Sequence, residues 1–346
     1  MVRLFGQIGI RTGLRKGWRM DGTENGTPAM TAQSPVILSE RGSSIARSSL
    51  PPALRAVILL GGSVRPSRLL RSIGRSIADL PVDDHRAVVD VWHEQAELIA
   101  QKLGASDLPV RLLVNSQTRP PRLPRSTDRC RFTVETDPVE YRGTGGVLRD
   151  VLSSYDDNDL VLVIAAFQVP FLPVESILAR LWQPEADVAL LSPRNGTPCG
   201  FLLMRCGCVR DIKPEGFIDL KEQALPQIGQ KHQVRVVYED VPSALPVRTL
   251  ADYIRALRRL HGGASSPSGE VNQWADDWRS TFSIIEKGAM VHEQARVHDS
   301  VVLSGARLEA GAVVVRSVVS GGVTVGRNVM AVDKLVSPHR LPEDEQ

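Results

Sequence analysis

Arginines follow a glycine pair at regular intervals. Gly61-Gly62 is succeeded by Arg65, Arg68, Arg71 (with Ser72 beside it) and Arg75, three or four residues apart. On a helix such spacing puts side chains on one face, so three or four guanidinium groups would line up just past the glycines. Guanidinium forks grip phosphate oxygens bidentately and can replace part of a metal's charge. The competing reading is a solvated basic helix face. Glu175, Asp187, Glu215 and Asp219 lie near predicted strand ends as candidate ligands for a hard cation, and nothing in the sequence singles one out. Four cysteines are too few for a disulfide scaffold and lack C-x-x-C spacing; Cys206 and Cys208 read as reduced, strand-borne thiols.

The elements that must position these groups are legible as apolar runs. Ala56–Leu60 is a continuous run ending at the glycines, which suits a strand buried on both faces that turns sharply at its carboxyl end. Further runs follow at Val110–Val114, Phe132–Val134, Leu160–Ala166, Val188–Leu191, Phe201–Met204 and Val234–Tyr238. Helix-like stretches lie among them at His85–Leu103, Gly145–Ser153, Val174–Leu181 and Leu250–Leu260. Alternating strands and helices predict an open, Rossmann-like, mostly parallel α/β sheet. Ligands of such sheets bind beyond the carboxyl ends of the strands, where the glycines sit.

Charge divides unevenly over the 346 residues. The net charge is +3, but residues 1–55 hold eight basic and three acidic residues, leaving residues 56–346 at −2. A part so nearly neutral, with no basic patch interleaved with aromatics, excludes nucleic acid as an expected partner. No apolar run reaches the roughly 18 residues that span a bilayer, and the first 50 residues lack the apolar core of a secretory signal. The expectation is a cytoplasmic protein without membrane contact, whose residues 1–52 are a disordered basic tail.

Residues 261–282 read as a linker, rich in Gly and Ser at 262–269. Beyond it Ile285, Val291 and Val297 are six apart, and Ala289, Ala295 and Val301 follow each by four. After a slip the spacing resumes at Val302, Leu308 and Val314. This is a hexapeptide repeat, the pattern of a short left-handed parallel β-helix over 283–331 with residues 332–346 as a tail. Its exposed end edge predicts a homo-oligomer through the β-helix.

In this order the motifs resemble the nucleotide-sugar pyrophosphorylases (sugar-1-phosphate nucleotidylyltransferases), some of which carry a C-terminal left-handed β-helix. The resemblance rests on Val57–Gly62 with Ser67-Arg68-Leu69 and Leu80-Pro81-Val82, on Gly143–Leu148, on Gly216–Lys221 and on Thr249–Tyr253. It implies a nucleotidyltransferase domain at 53–260 that joins a nucleoside triphosphate to a sugar 1-phosphate and releases pyrophosphate. It further implies that Gly61, Gly62 and Arg65 lie at the triphosphate, with Arg68 and Arg75 carrying phosphate charge. Gly143, Thr144 and Gly145 would pack against the base, Glu135 would read it, and Gly200 would lie near the sugar. Mg²⁺ is the implied cofactor, yet its usual ligands are missing. Ala166 and Pro246 stand where the family has aspartates, and Ser76-Ile77-Ala78-Asp79 lacks the family's lysine. Metal ligands are therefore unassigned.

The primary expectation is a divergent nucleotidyltransferase whose partner is a nucleoside triphosphate or nucleotide sugar. A non-catalytic sugar-nucleotide-binding regulator or scaffold is the alternative. A hexapeptide acyltransferase using His292 or His298 is a third.

Overall fold

The computed structural model describes residues 50–62, 68–116, 119–137, 142–194, 200–213, 216–262 and 281–338. The expected basic tail, save Leu50–Pro52, most of the expected linker and residues 339–346 lie outside them.

Seven strands form one sheet. In chain order they are β1 (Leu54–Leu60), β2 (Leu108–Asn115), β3 (Cys130–Asp137), β4 (Leu160–Ala165), β6 (Val188–Pro193), β7 (Phe201–Arg205) and β8 (Val234–Glu239). A separate pair is made by β5 (Gln168–Pro170) and β9 (Ala244–Pro246). The spatial order is β3-β2-β1-β4-β7-β6-β8, and all neighbours are parallel except that β7 runs against both β4 and β6. Six carboxyl ends therefore share one edge of the sheet. A strand's direction leaves no mark in an apolar run, so β7 could not be distinguished in the sequence.

Period-two alternation splits the core between two faces. Val57, Leu59, Leu112, Leu162 and Ile164 pack with residues of α2 (Val88–Leu103), α4 (Val174–Leu181) and α6 (Leu250–His261). Ile58, Val161 and Val163 pack on α3 (Gly143–Leu152), the 3-10 turn Cys206–Asp211 and α5 (Leu225–Ile228). The expected helix from His85 begins instead at Val88. The Asp83 carboxylate accepts the His85 and Arg86 N–H groups at 2.9 and 2.7 Å and holds that stretch as a turn. Cys206 and Cys208 lie in the 3-10 turn after β7 rather than on a strand, and burial pushes both thiols up to about 12, which keeps them inert.

Ten short strands, β10 (Ser283–Ile285) to β19 (Leu335–Val336), make three parallel ladders. These are β10-β13-β16-β19, with β13 at Ser300–Val302 and β16 at Val318–Val319; β11-β14-β17, at Met290–Val291, Arg307–Leu308 and Thr324–Val325; and β12-β15-β18, at Arg296–His298, Val313–Val315 and Met330–Val332. Ile284 pairs with Val301, Val301 with Val318 and Val318 with Leu335, so each register advances by 17 residues. Val302, Leu308, Val314, Val319 and Val325 share one interior cluster with Ala306 and Ala312. The interior spacing is thus six, six and five, and the five-residue step is the slip seen in the sequence. Val301, grouped by spacing with Ala289 and Ala295, belongs to another row. With Ile284, Val318 and Leu335 it packs on the core of the sheet half. The ladders also continue past 331, to Val336.

Two ion pairs reinforce that junction. Arg75 bonds Glu286 at 2.7 Å, and Arg258 of α6 bonds the buried Asp299 at 2.6 Å. Burial alone would raise the Asp299 carboxyl. The Thr281 amide, the Arg258 guanidinium and the Thr281 hydroxyl overcome it and hold the carboxyl below its ordinary range. The Tyr253 hydroxyl, fully buried on α6, donates to the Pro81 carbonyl.

Candidate functional site at the carboxyl edge of the sheet

Gly61 prolongs β1 by donating its N–H to the Leu113 carbonyl at 2.8 Å. A Cβ on Gly61 would meet Leu112 Cδ1 at 2.8 Å, and one on Gly62 would meet the Asn115 nitrogen at 2.9 Å. Close approach to β2 therefore explains both glycines. Beside them is a cavity of about 10 Å³ lined by Gly61, Ser76, Ile77, Ala78, Leu112, Val114, Ala166 and Phe167. That is room for about one water, so a nucleotide would have to lie above this floor.

The arginine stripe is broken. Arg65 and the side chain of Arg68 lie outside the described residues; Arg68 opens α1 (Arg68–Ile73), on which Arg71 is exposed. Gly74 follows at φ +74° in the left-handed region, so Arg75 stands past the helix end. Its guanidinium bonds Glu286 on the ladder half.

The second and third motifs interlock. Gly143 takes φ +70°, and a Cβ there would come within 2.3 Å of the Ile218 carbonyl oxygen. Gly145 N–H donates to that oxygen at 2.9 Å, Ile218 N–H donates to the Arg142 carbonyl at 3.0 Å, and Leu220 N–H donates to the Thr144 hydroxyl at 3.1 Å. Arg142 in turn bonds Asp137 at the end of β3. Gly143, Thr144 and Gly145 thus fasten the start of α3 to Ile218 and Leu220 through close packing and hydrogen bonds.

Glu135 faces elsewhere. Its carboxylate accepts two bonds from Arg111 at 2.6 and 2.7 Å, and those bonds hold the carboxyl below its usual range against burial. It lines an open hollow of about 390 Å³ with Pro109, Arg111, Arg131, Thr133, Ser154 and Tyr155.

The segments that carry the positions expected to hold metal aspartates, Ala166 and Pro246, run side by side. Gln168 is in register with Pro246, and Val247 N–H donates to the Phe167 carbonyl at 2.7 Å. Their chemistry is apolar, for Ala166 N–H bonds Leu60 and its carbonyl accepts the buried Trp92 indole N–H at 3.1 Å. Gly200, at φ +77°, packs against Ala165 beside Gln168, a buried amide whose Nε2 has no hydrogen-bond partner among the described residues. Mg²⁺ at a phosphate site is held by one or two carboxylates with water and phosphate oxygens; Ala166, Gln168 and Pro246 supply no carboxylate and do not fit it. Among the described residues no three His, Cys, Asp or Glu side chains gather as a metal group. Glu175 pairs with Lys102, Asp187 with Arg205, and Asp219 accepts the Lys221 and Glu222 N–H groups. Glu215 lies outside the described residues.

Two charged side chains were not singled out in the sequence, the cation Arg248 and the carboxylate Asp79. Arg248 places its guanidinium carbon 4.6 Å from the centroid of the cavity-lining Phe167. Desolvation draws its pKa below the ordinary value, against the pull of Asp252. On the other side, Asp79 follows the cavity-lining Ser76–Ala78 and accepts the Arg122 N–H at 2.8 Å. Burial raises the Asp79 carboxyl despite that bond and the nearby Arg75, Arg122 and Arg119. Arg248 lies between Pro246 and Thr249, both already singled out, but a cation–ring contact 81 residues apart has no sequence signature.

No protein-family model matches the chain, and no curated protein matches it. Among solved structures, a Bacillus anthracis protein assigned as a glucose-1-phosphate thymidylyltransferase, in complex with sucrose, aligns with a TM-score of 0.44 and 11% identity over 58% of this chain and 93% of that one. HddC from Yersinia pseudotuberculosis aligns with a TM-score of 0.42 and 11% identity over 60% of this chain and 100% of that one. No helix among the described residues is long and apolar enough to cross a membrane.

Proposed function

We propose that the chain is a non-catalytic relative of the sugar-1-phosphate nucleotidylyltransferases. It binds a nucleoside triphosphate or nucleotide sugar over the carboxyl ends of β1 and β4, and regulates or scaffolds an active partner. Its three ladders close as a short left-handed β-helix, through whose open end copies of the chain associate. Partial exposure of Ile285, Ala289 and Val291 in the first ladder strands and turns supports that association.

The observation that carries the reading is the apolar junction of Ala166 and Phe167 with Val247, capped by the Trp92 indole. Phosphoryl transfer depends on positioning and on offsetting charge at the α-phosphorus. Neither strand end offers a carboxylate to a metal, whereas binding needs only cations and shaped backbone. Asp79 favours the second reading, a divergent transferase, because it is a carboxylate adjoining the cavity wall.

The test is turnover. The protein is incubated with each nucleoside triphosphate, a panel of sugar 1-phosphates and Mg²⁺, and pyrophosphate is measured beside calorimetric binding of nucleotide sugars. Binding without pyrophosphate release is expected. Pyrophosphate release that Asp79→Asn abolishes would establish the transferase instead.

A further inference from the structure

We infer that Arg248 is the phosphate-binding cation of the crevice, meeting the ligand's phosphate oxygens above Phe167 and Gly61. The inference rests on the nucleotide-binding reading just given and adds to it a residue and a chemical class of contact.

Arg248 is anchored by its neighbours. Val247 is hydrogen-bonded to Phe167, and Thr249 caps α6 by accepting the Asp252 N–H at 3.1 Å. The guanidinium lies over the ring of Phe167, which lines the Gly61 cavity. A guanidinium held by a ring rather than by a carboxylate keeps N–H donors that can meet phosphate oxygens bidentately.

This location is unfavourable for a merely structural cation. Arg248 directly precedes the N-cap of α6, at the positive end of the helix dipole, where cations are disfavoured. The nearest acid, Asp252, is engaged by the Thr249 N–H and by Arg255. Arg75, Arg142 and Arg194 are each held by a carboxylate. Arg248 has no such bond among the described residues, and part of it is exposed to solvent. An arriving phosphate would supply the missing counter-charge.

Calorimetric titration of the full chain tests this, with inorganic tripolyphosphate and with UDP-, ADP-, GDP- and dTDP-glucose as probes. Arg248→Ala should weaken tripolyphosphate and the bound nucleotide sugar by about tenfold or more, the worth of a charge-assisted bidentate contact. Arg248→Lys should recover part of the loss, keeping the charge without the fork. The thermal midpoint of R248A should not fall, because a cation leaves a helix N-terminus; a midpoint several degrees lower would make Arg248 structural and overturn the inference. A nucleotide sugar bound equally by wild type and R248A overturns it while leaving the nucleotide reading intact. Tripolyphosphate lost in R248A, with no nucleotide sugar bound by either, upholds Arg248 and sinks that reading. Wild-type protein that binds none of the probes overturns both.

Discussion

Arg75 Nη2 donates to Glu286 Oε1 at 2.7 Å, joining residues 211 positions apart. Both side chains are mostly buried, and Glu286 also accepts the Ser304 N–H at 2.8 Å. Arg75→Met would leave a half-buried carboxylate without its cation. A loss of about 1–3 kcal/mol in ligand-free stability is expected, read from the urea midpoint. A variant as stable as wild type would return Arg75 to the candidate phosphate groups.

Gly143 offers a sharper test of the interlocked motifs. Alanine there must adopt φ +70° with its Cβ 2.3 Å from the Ile218 oxygen. The left-handed conformation alone costs about 1–2 kcal/mol, and the clash falls on backbone. Gly143→Ala should therefore lose more than about 2 kcal/mol in chemical denaturation, whereas Gly74→Ala, with nothing within 4 Å, should lose only the conformational part.

Trp92 fastens the end of β4 through the Ala166 carbonyl. Trp92→Phe keeps an aromatic ring but strands the Ala166 carbonyl, and an unmet buried acceptor costs about 1–3 kcal/mol. Hydrogen exchange should show faster opening of the Ala166 and Val247 amides, which β1 and Phe167 now hold.

Two carboxylates should respond to pH in opposite senses. The Asp299 pKa is depressed on folding, so its stabilisation is present above the unfolded value of about 3.9 and disappears as pH falls through the folded value. Asp299→Asn should lower the urea midpoint at pH 7, with the gap closing at acid pH. The Asp79 pKa is raised, so its charge costs stability as pH rises through the folded value. Asp79→Asn, whose amide oxygen can still accept the Arg122 N–H, should raise the thermal midpoint at pH 7 and leave it unchanged below about pH 4.

The strands and ladders were legible because burial writes its period into the chain. Ala56–Leu60 marked β1, and the six-residue spacing of Ile285, Val291 and Val297 marked the ladders before a five-residue side accounted for the slip. Side-chain commitments were not legible. Arg75 looked like the continuation of a helical stripe until Gly74 ended the helix. The pairing of Glu135 with Arg111 was equally hidden, because Arg111 comes from the neighbouring strand. Ala166 and Pro246 are positions without carboxylates in the sequence itself, whereas the contacts of Trp92 with Ala166 and of Arg248 with Phe167 are visible only once the sheet is assembled.

The row of Ile284, Val301 and Val318 has a consequence for how the molecule comes apart. These residues face the sheet half while their neighbours Val302 and Val319 face the ladder interior. A thin wall that is dry on both sides cannot be peeled off without wetting oil on each. Heat or denaturant should therefore melt residues 50–338 in a single cooperative step. A fragment cut at Gly262 should come out as a sticky, aggregation-prone piece rather than a freestanding module.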